Sequence, residues 1–376
     1  MPIHSSFPGV YVEEVARTPR VIESLPTSIT LFIGNTTSGP RGVAVKVSST
    51  VDYRTAFGTG GDLDGSIAYY FTNGGQSAWI IAATTVLGTT TFHAELLKAF
   101  EPGGPVDATD RFQLLCVPGE SDPATQVALQ AVCAARRVFF IADCPADATA
   151  AVLGHGPDPR LLGANASWSA SYAPWVVAVD PGSGTSRPFP PSGFVAGVYA
   201  RIDAQHGVWK APAGPDASVI GATGLAVPID AHLGDAMNAA GISGLRSLPN
   251  RSIVVWGART LAGAGGDANY RYVPVRRLML FIENSIDAGL AWTVFEPNVA
   301  TTWTLVSSLV GGWLAGLWRQ GALQGAKPEQ AWVVRCDATT MTQADIDAGR
   351  LVVMVGVAPL RAAEFVVLRL CFRTAS

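Results

Sequence analysis

Five histidines, His4, His93, His155, His206 and His232, are the side chains best suited to acid–base work or metal binding, and none stands three or four residues from another. A helical metal face needs that spacing, so no metal is expected. Asp143 and Asp180 each follow an apolar strand pattern, where α/β sheets present catalytic carboxylates. Neither has a histidine beside it, and turn formation is the plainer expectation for both. Gly58, Gly60, Gly61 and Gly65 resemble a phosphate cradle, but Leu63 stands where the dinucleotide fingerprint needs its third glycine. There is no G-x-x-x-x-G-K-[ST] and no G-x-S-x-G. No cofactor is therefore expected, and the one enzymatic alternative is an α/β hydrolase-like protein with Asp143 or Asp180 in a cleft.

An alternation of strands and helices must hold these groups. Apolar runs predict strands at 28–34, 78–82, 112–117, 138–142, 175–179 and 253–257, with helices at 64–71, 123–136 and 192–201. Such alternation argues for a largely parallel sheet. The Pro- and Gly-rich stretches 180–191, 210–216 and 262–269 read as loops, the last a candidate domain boundary. Beyond it, Leu278, Phe281, Ile282 and Ile286 fall at helical spacing, as do Leu305, Leu309 and Trp313. Strands follow at 331–336 and 351–357.

Both ends are patterned as strands with no partner of their own. After Pro8-Gly9, Val10 and Val12 share one face and Tyr11 and Glu13 the other; near the far end Leu368, Leu370 and Phe372 oppose Arg369 and Arg373. A lone strand is not stable in water, so another sheet must receive each.

Charged residues make up 15% of 376, against roughly 25% in an ordinary soluble domain, and ten tryptophans are present. That composition suits a protein covered by its own copies. The most apolar stretch, 299–318, is broken by threonines, serines and glycines, so no membrane insertion is expected. No signal peptide is expected from the N-terminus, and five dispersed cysteines without C-x-x-C suit reduced thiols. From Tyr270 onward ten Arg or Lys face eight Asp or Glu, whereas the first 269 residues hold 16 against 21. No basic stripe marks a nucleic-acid partner.

PGVYVEE near the start, YAPWVVAVDP (172–181), PPSGFVAGVYARIDAQHGVWKAPAG (190–214), VWGARTL (255–261), RYVPVRRLMLFIENSI (271–286), FEPN (295–298) and APLRAAEFVVLRL (358–370) occur in this order. Together they resemble the tail sheath proteins of contractile phages and related injection systems. The resemblance implies a structural protein, not an enzyme. It would polymerise helically around an inner tube and contract to drive that tube through a cell envelope.

The implied fold is a two-domain α/β subunit with extended terminal strand arms: an N-terminal arm and linker (1–24), an outer α/β domain (25–255), an inner domain facing the tube (256–362) and a C-terminal arm (363–376). The arms would add strands to neighbouring subunits through Val10, Tyr11, Val12, Glu13, Glu14 and Val15, and through Phe365, Val366, Val367, Leu368, Arg369, Leu370 and Phe372. Arg276 and Arg277, at a helix start, are expected to face the tube. Implied partners are copies of the chain, the tube protein, and baseplate and terminator or cap proteins. Assembly is expected in the bacterial cytoplasm, giving a virion tail or tail-like particle.

Overall fold

The computed structural model describes residues 20–249 and 252–361. Thr30–Gly34 (β1), Ala44–Val47 (β2), Thr50–Phe57 (α1), Gly61–Thr72 (α2) and Ala78–Ala82 (β3) come first. Thr90–Lys98 (α3), Leu114–Cys116 (β4), Pro123–Arg136 (α4), Phe139–Asp143 (β5), Ala150–His155 (α5) and Ser169–Ala173 (β6) continue the alternation. Then come Val176–Val179 (β7), Ser186–Phe189 (β8), Ser192–His206 (α6), Ala222–Leu225 (β9), Ala231–Ala239 (α7), Ile242–Ser247 (β10) and Ile253–Val255 (β11). The smaller part holds Val273–Gly289 (α8), Ala300–Arg319 (α9), Pro328–Ala331 (α10), Trp332–Arg335 (β12), Gln343–Asp347 (α11) and Met354–Val357 (β13).

The main sheet has the order β11-β10-β6-β5-β4-β1-β3-β2. Strands β10 to β3 in that order run parallel, and β11 and β2 close the two edges antiparallel. Parallel strands are covered on both faces, which is why β1, β3 and β5 are continuous apolar runs. Leu31, Ile33, Leu115 and Phe140 face Phe92 and Leu96 of α3 and Leu129 and Cys133 of α4. Phe32, Ile80, Leu114 and Phe139 face Ile67 and Tyr70 of α2 and Val195, Val198 and Tyr199 of α6. Gly193 and Gly197 let α6 lie on α2: a Cβ at Gly197 would come within 2.4 Å of the Tyr70 carbonyl oxygen.

Two sequence expectations change here. The strand after β5 in the main sheet is β6, SASYA, whereas 176–179 belongs to a separate antiparallel sheet, β8-β7-β9. Pro174 lies between β6 and β7 and has no N–H to give to a ladder, so the chain leaves the main sheet there. The stretch 180–191 is not all loop: residues 186–189 form β8, whose Pro188 is accommodated because the strand lies on an edge.

In the smaller part, Leu278, Phe281 and Ile282 of α8 pack on Val306, Val310, Leu314 and Leu317 of α9. Trp292, Trp303, Trp313, Trp318 and Trp332 ring this cluster. Helix α8 is shared, because Val273 and Leu280 belong to the core of the larger part.

Candidate assembly site

Arg276 and Arg277 sit in the first turns of α8 and are 4% and 3% exposed. Their guanidinium groups point into the molecule and offer nothing to a tube wall, a correction to the placement expected from sequence. An amphipathic helix that joins two parts buries more than one face, and both arginines fall on the side turned to the larger part. Arg276 lies 3.4 Å from the ring centre of Trp168 and 4.5 Å from that of Tyr270. Arg277 makes a two-pronged pair with Asp203 of α6, at 2.9 Å to Oδ1 and 2.6 Å to Oδ2, and lies 4.5 Å from the ring centre of Tyr199. It also donates to the Thr27 carbonyl at 3.0 Å, while the Thr27 hydroxyl donates to Asp203 at 2.6 Å. Three segments distant in sequence meet at one buried ion pair.

Residues 20–29, of which 20–24 fall in the arm and linker expected from sequence, run as a strap over the smaller part. The Arg20 guanidinium stacks 3.8 Å above Trp292 and pairs with Glu296 at 2.8 Å. Ile22 fills a notch at Gly289, where a Cβ would meet it at 2.7 Å. Ser24 accepts the Trp313 indole N–H, and the Leu25 N–H bonds to the Ser285 hydroxyl. The Ile29 N–H then reaches Gln113, next to β4. The notch is testable. Gly289→Val, with a substituent where Ile22 now sits, should destabilise the chain by about 1–3 kcal/mol through overpacking; a urea midpoint unchanged from wild type would mean that the strap is not seated there.

Strands β12 and β13 pair antiparallel with Trp332 opposite Val357 and Val334 opposite Val355, all four against the α8–α9 cluster. Their other face carries Val333 and Met354, 49% and 58% exposed. Among the described residues this sheet has two strands, and an isolated two-stranded sheet is marginal in water. The arm residues named from sequence, Val10 to Val15 and Phe365 to Phe372, lie outside the described residues. The described chain begins at Arg20 on Trp292 and ends at Arg361, just beyond β13, so both ends leave the smaller part.

The groups suited to chemistry serve structure. Asp143, 2% exposed at the end of β5, accepts from the Gly119 N–H and from the N–H and hydroxyl of Ser192, fixing the start of α6. Asp180 caps its own turn through Gly182 and Ser183 and pairs with Arg187. Asp64, at the start of α2, takes the Gly60 N–H at 2.9 Å and Arg54 at 3.0 Å, so a carboxylate already occupies the glycine-rich turn. His93 lies 3.0 Å from buried Glu120. No group of three or more His, Cys, Asp or Glu is placed to hold a metal among the described residues, and no helix there is long and apolar enough to cross a membrane.

Burial raises the Asp143 carboxyl to about 6, against the lowering effect of its three hydrogen bonds. A carboxylate whose folded value exceeds its unfolded one favours folding fully below the unfolded value of 3.8, and that contribution is lost as pH rises through about 6. Urea midpoints of the chain relative to its Asp143→Asn variant should therefore rise as pH falls from 7 to 4. The gain should be on the order of 3 kcal/mol at 1.36 kcal/mol per pH unit. Parallel curves for the two proteins would exclude Asp143 as the titrating group.

Known proteins resemble this arrangement throughout its length. Residues 95–261 match the family model of the phage tail sheath protein central domain, and residues 266–373 that of the phage tail sheath C-terminal domain. A putative prophage major tail sheath protein of Pseudomonas aeruginosa (strain UCBPP-PA14) is 25% identical over 346 residues, 85% of this chain and 86% of that one. The anti-feeding prophage helical sheath in contracted state is 31% identical with a TM-score of 0.79, covering 98% of this chain and 99% of the other. The sheath complex of an extracellular contractile injection system, PVC, in contracted state is 29% identical with a TM-score of 0.78, covering 98% of each chain.

Proposed function

The chain belongs to the phage tail sheath family and is a structural subunit of a contractile sheath, and from that premise we propose that its copies wind around an inner tube and drive it through a target envelope on contraction. Self-assembly into a helical sheath and a place in a phage tail or tail-like particle come with the family. The finer reading is that the α8–α9 part, residues 256–362, forms the layer against the tube, with residues 25–255 outside it. The arms, 1–24 and 363–376, join neighbours, and the remaining partners are the tube protein, the baseplate and a terminator or cap. Assembly takes place in the bacterial cytoplasm, and the subunit is not an enzyme: Ser192 gives its hydroxyl to Asp143 while both are buried.

The observation that carries this reading is the two-stranded sheet β12–β13 in the part from which both ends of the described chain depart. Strand addition from a neighbour supplies main-chain hydrogen bonds along an open edge and lets bodies turn while staying joined. Negative-stain images of the chain expressed with its tube partner should show striated cylinders; irregular particles would refute the reading. Purified extended particles should contract on mild acid or denaturant in nucleotide-free buffer containing chelator, driven by additional apolar burial at about 25 cal/mol per Å². A requirement for ATP or GTP would overturn that account of the power stroke.

A further inference from the structure

Among the described residues, 19 glycines adopt a positive φ and only two other residues do, Arg137 and Phe295. Arg137 ends α4 and its side chain lies 3.6 Å from Asp287. Phe295 has no such account. It stands in the turn between α8 and α9, where the Glu296 N–H bonds to the Thr293 carbonyl at 3.0 Å. Val294 has φ −62° and ψ 124°, and Phe295 has φ 71°. That is a type II turn, whose third position calls for glycine or asparagine. An aromatic residue there is strained, and Phe295 is 102% exposed, so no burial among the described residues offsets the strain.

The turn is held from both sides. Glu296 is paired with Arg20 at the beginning of the strap. The Asn298 amide bonds to the Arg350 carbonyl at 3.0 Å and accepts the Trp303 indole N–H at 2.7 Å, and the Thr302 hydroxyl donates to the Pro297 carbonyl at 2.8 Å. Val294 and Val299 beside it are 63% and 48% exposed. A rigid, fully presented aromatic with apolar flanks has the features of an anchor that dominates an interface.

We infer that Phe295 is an intersubunit anchor, inserted into a second copy of this chain. The occupant follows from position. The turn adjoins Arg20, the first described residue, so it is continuous with the face from which the N-terminal arm leaves. A helical array of one subunit requires a contact in which different patches of two copies meet, which a projecting side chain supplies. The inference rests on the sheath reading above and adds to it a contact that the arms do not make.

The test uses the full chain without any other protein, followed by light scattering and negative-stain images over a concentration series, with urea midpoints of the unassembled subunit. Wild-type chain should assemble alone. Phe295→Gly and Phe295→Asn, both suited to the turn, should raise the concentration for half-maximal assembly at least tenfold and leave the urea midpoint unchanged or higher. Phe295→Tyr should assemble nearly as wild type. Equal assembly of all variants overturns the inference and leaves the sheath reading intact, as does a lowered urea midpoint, which marks a role within the chain. A defect that appears only when tube protein is added assigns the contact to the tube and likewise overturns it. Failure of wild-type chain to form any regular polymer, alone or with tube, overturns the sheath reading and the inference with it.

Discussion

Deleting residues 1–16, or ending the chain before Glu364, will leave a folded, soluble subunit that no longer builds sheaths of normal length. Among the described residues, the cores on both faces of the main sheet and the α8–α9 cluster are made by side chains between 22 and 357, all of which both deletions retain. The deletions do remove the two terminal segments whose alternation reads as strand from the sequence. Each main-chain hydrogen bond of an added strand contributes about 0.5–1.5 kcal/mol net, so a strand making four of them holds a neighbour by roughly 2–6 kcal/mol. Repeated along a lattice, loss of one joint per subunit is decisive. Size-exclusion chromatography and circular dichroism would report a native monomer, and electron microscopy the absence of cylinders. Normal-length sheaths from either truncation would dismiss the arms as the joints.

Asp203→Asn should destabilise the subunit by about 3–5 kcal/mol, the usual consequence of leaving a buried charge without its partner. Arg277 and Asp203 have side chains 3% and 5% exposed, so water cannot replace the missing carboxylate. The Thr27 hydroxyl and the Arg277 guanidinium would then compete for one amide oxygen. Arg277→Met alone should lose a similar amount, while the double variant Asp203→Leu with Arg277→Met should recover much of it, because apolar groups of like volume often replace a buried pair without penalty. Urea denaturation of wild type, Asp203→Leu, Arg277→Met and the variant carrying both closes the cycle. Additive losses in the double variant would mean that the two residues act separately. For the same reason Arg277→Glu would report on folding rather than on contact with a tube.

The central strands were legible because parallel strands are apolar throughout. Predicted strands at 28–34, 78–82 and 138–142 coincide closely with β1, β3 and β5, and the helix at 123–136 is α4. Among the strands that escaped were β2, β10 and β6, the last, SASYA, a buried strand with little apolar content. Ser169 there is satisfied by Gln130 and the Ala166 carbonyl, partners that no local pattern reveals. The arginine pair misled for a related reason. On a one-dimensional pattern Arg276 and Arg277 look solvated, and only the approach of Trp168, Tyr199 and Asp203 shows that they are internal. The strap was hidden in RVIESLPTSI (20–29), where no periodicity singles out Ile22 and its notch, Gly289, stands 267 positions away. Period-2 alternation at 10–15 and 365–373 needs no partner to be read, and those segments lie outside the described residues.

The strap determines where tension enters the molecule. A pull on the N-terminal arm reaches Arg20 on Trp292, then Ile22 at Gly289 and Ser24 on Trp313, all before the chain enters β1. A pull on the other arm enters through β13. On the proposed arm-joined lattice both loads therefore enter at the small helical part, to which the eight-stranded body is tied by α8 and the Arg277–Asp203 pair. Such a body is free to vary in bulk. A peptide grafted into the exposed turn at 145–147 should widen the particle without altering its pitch or its travel, making that turn a place to carry cargo or tags on a working machine.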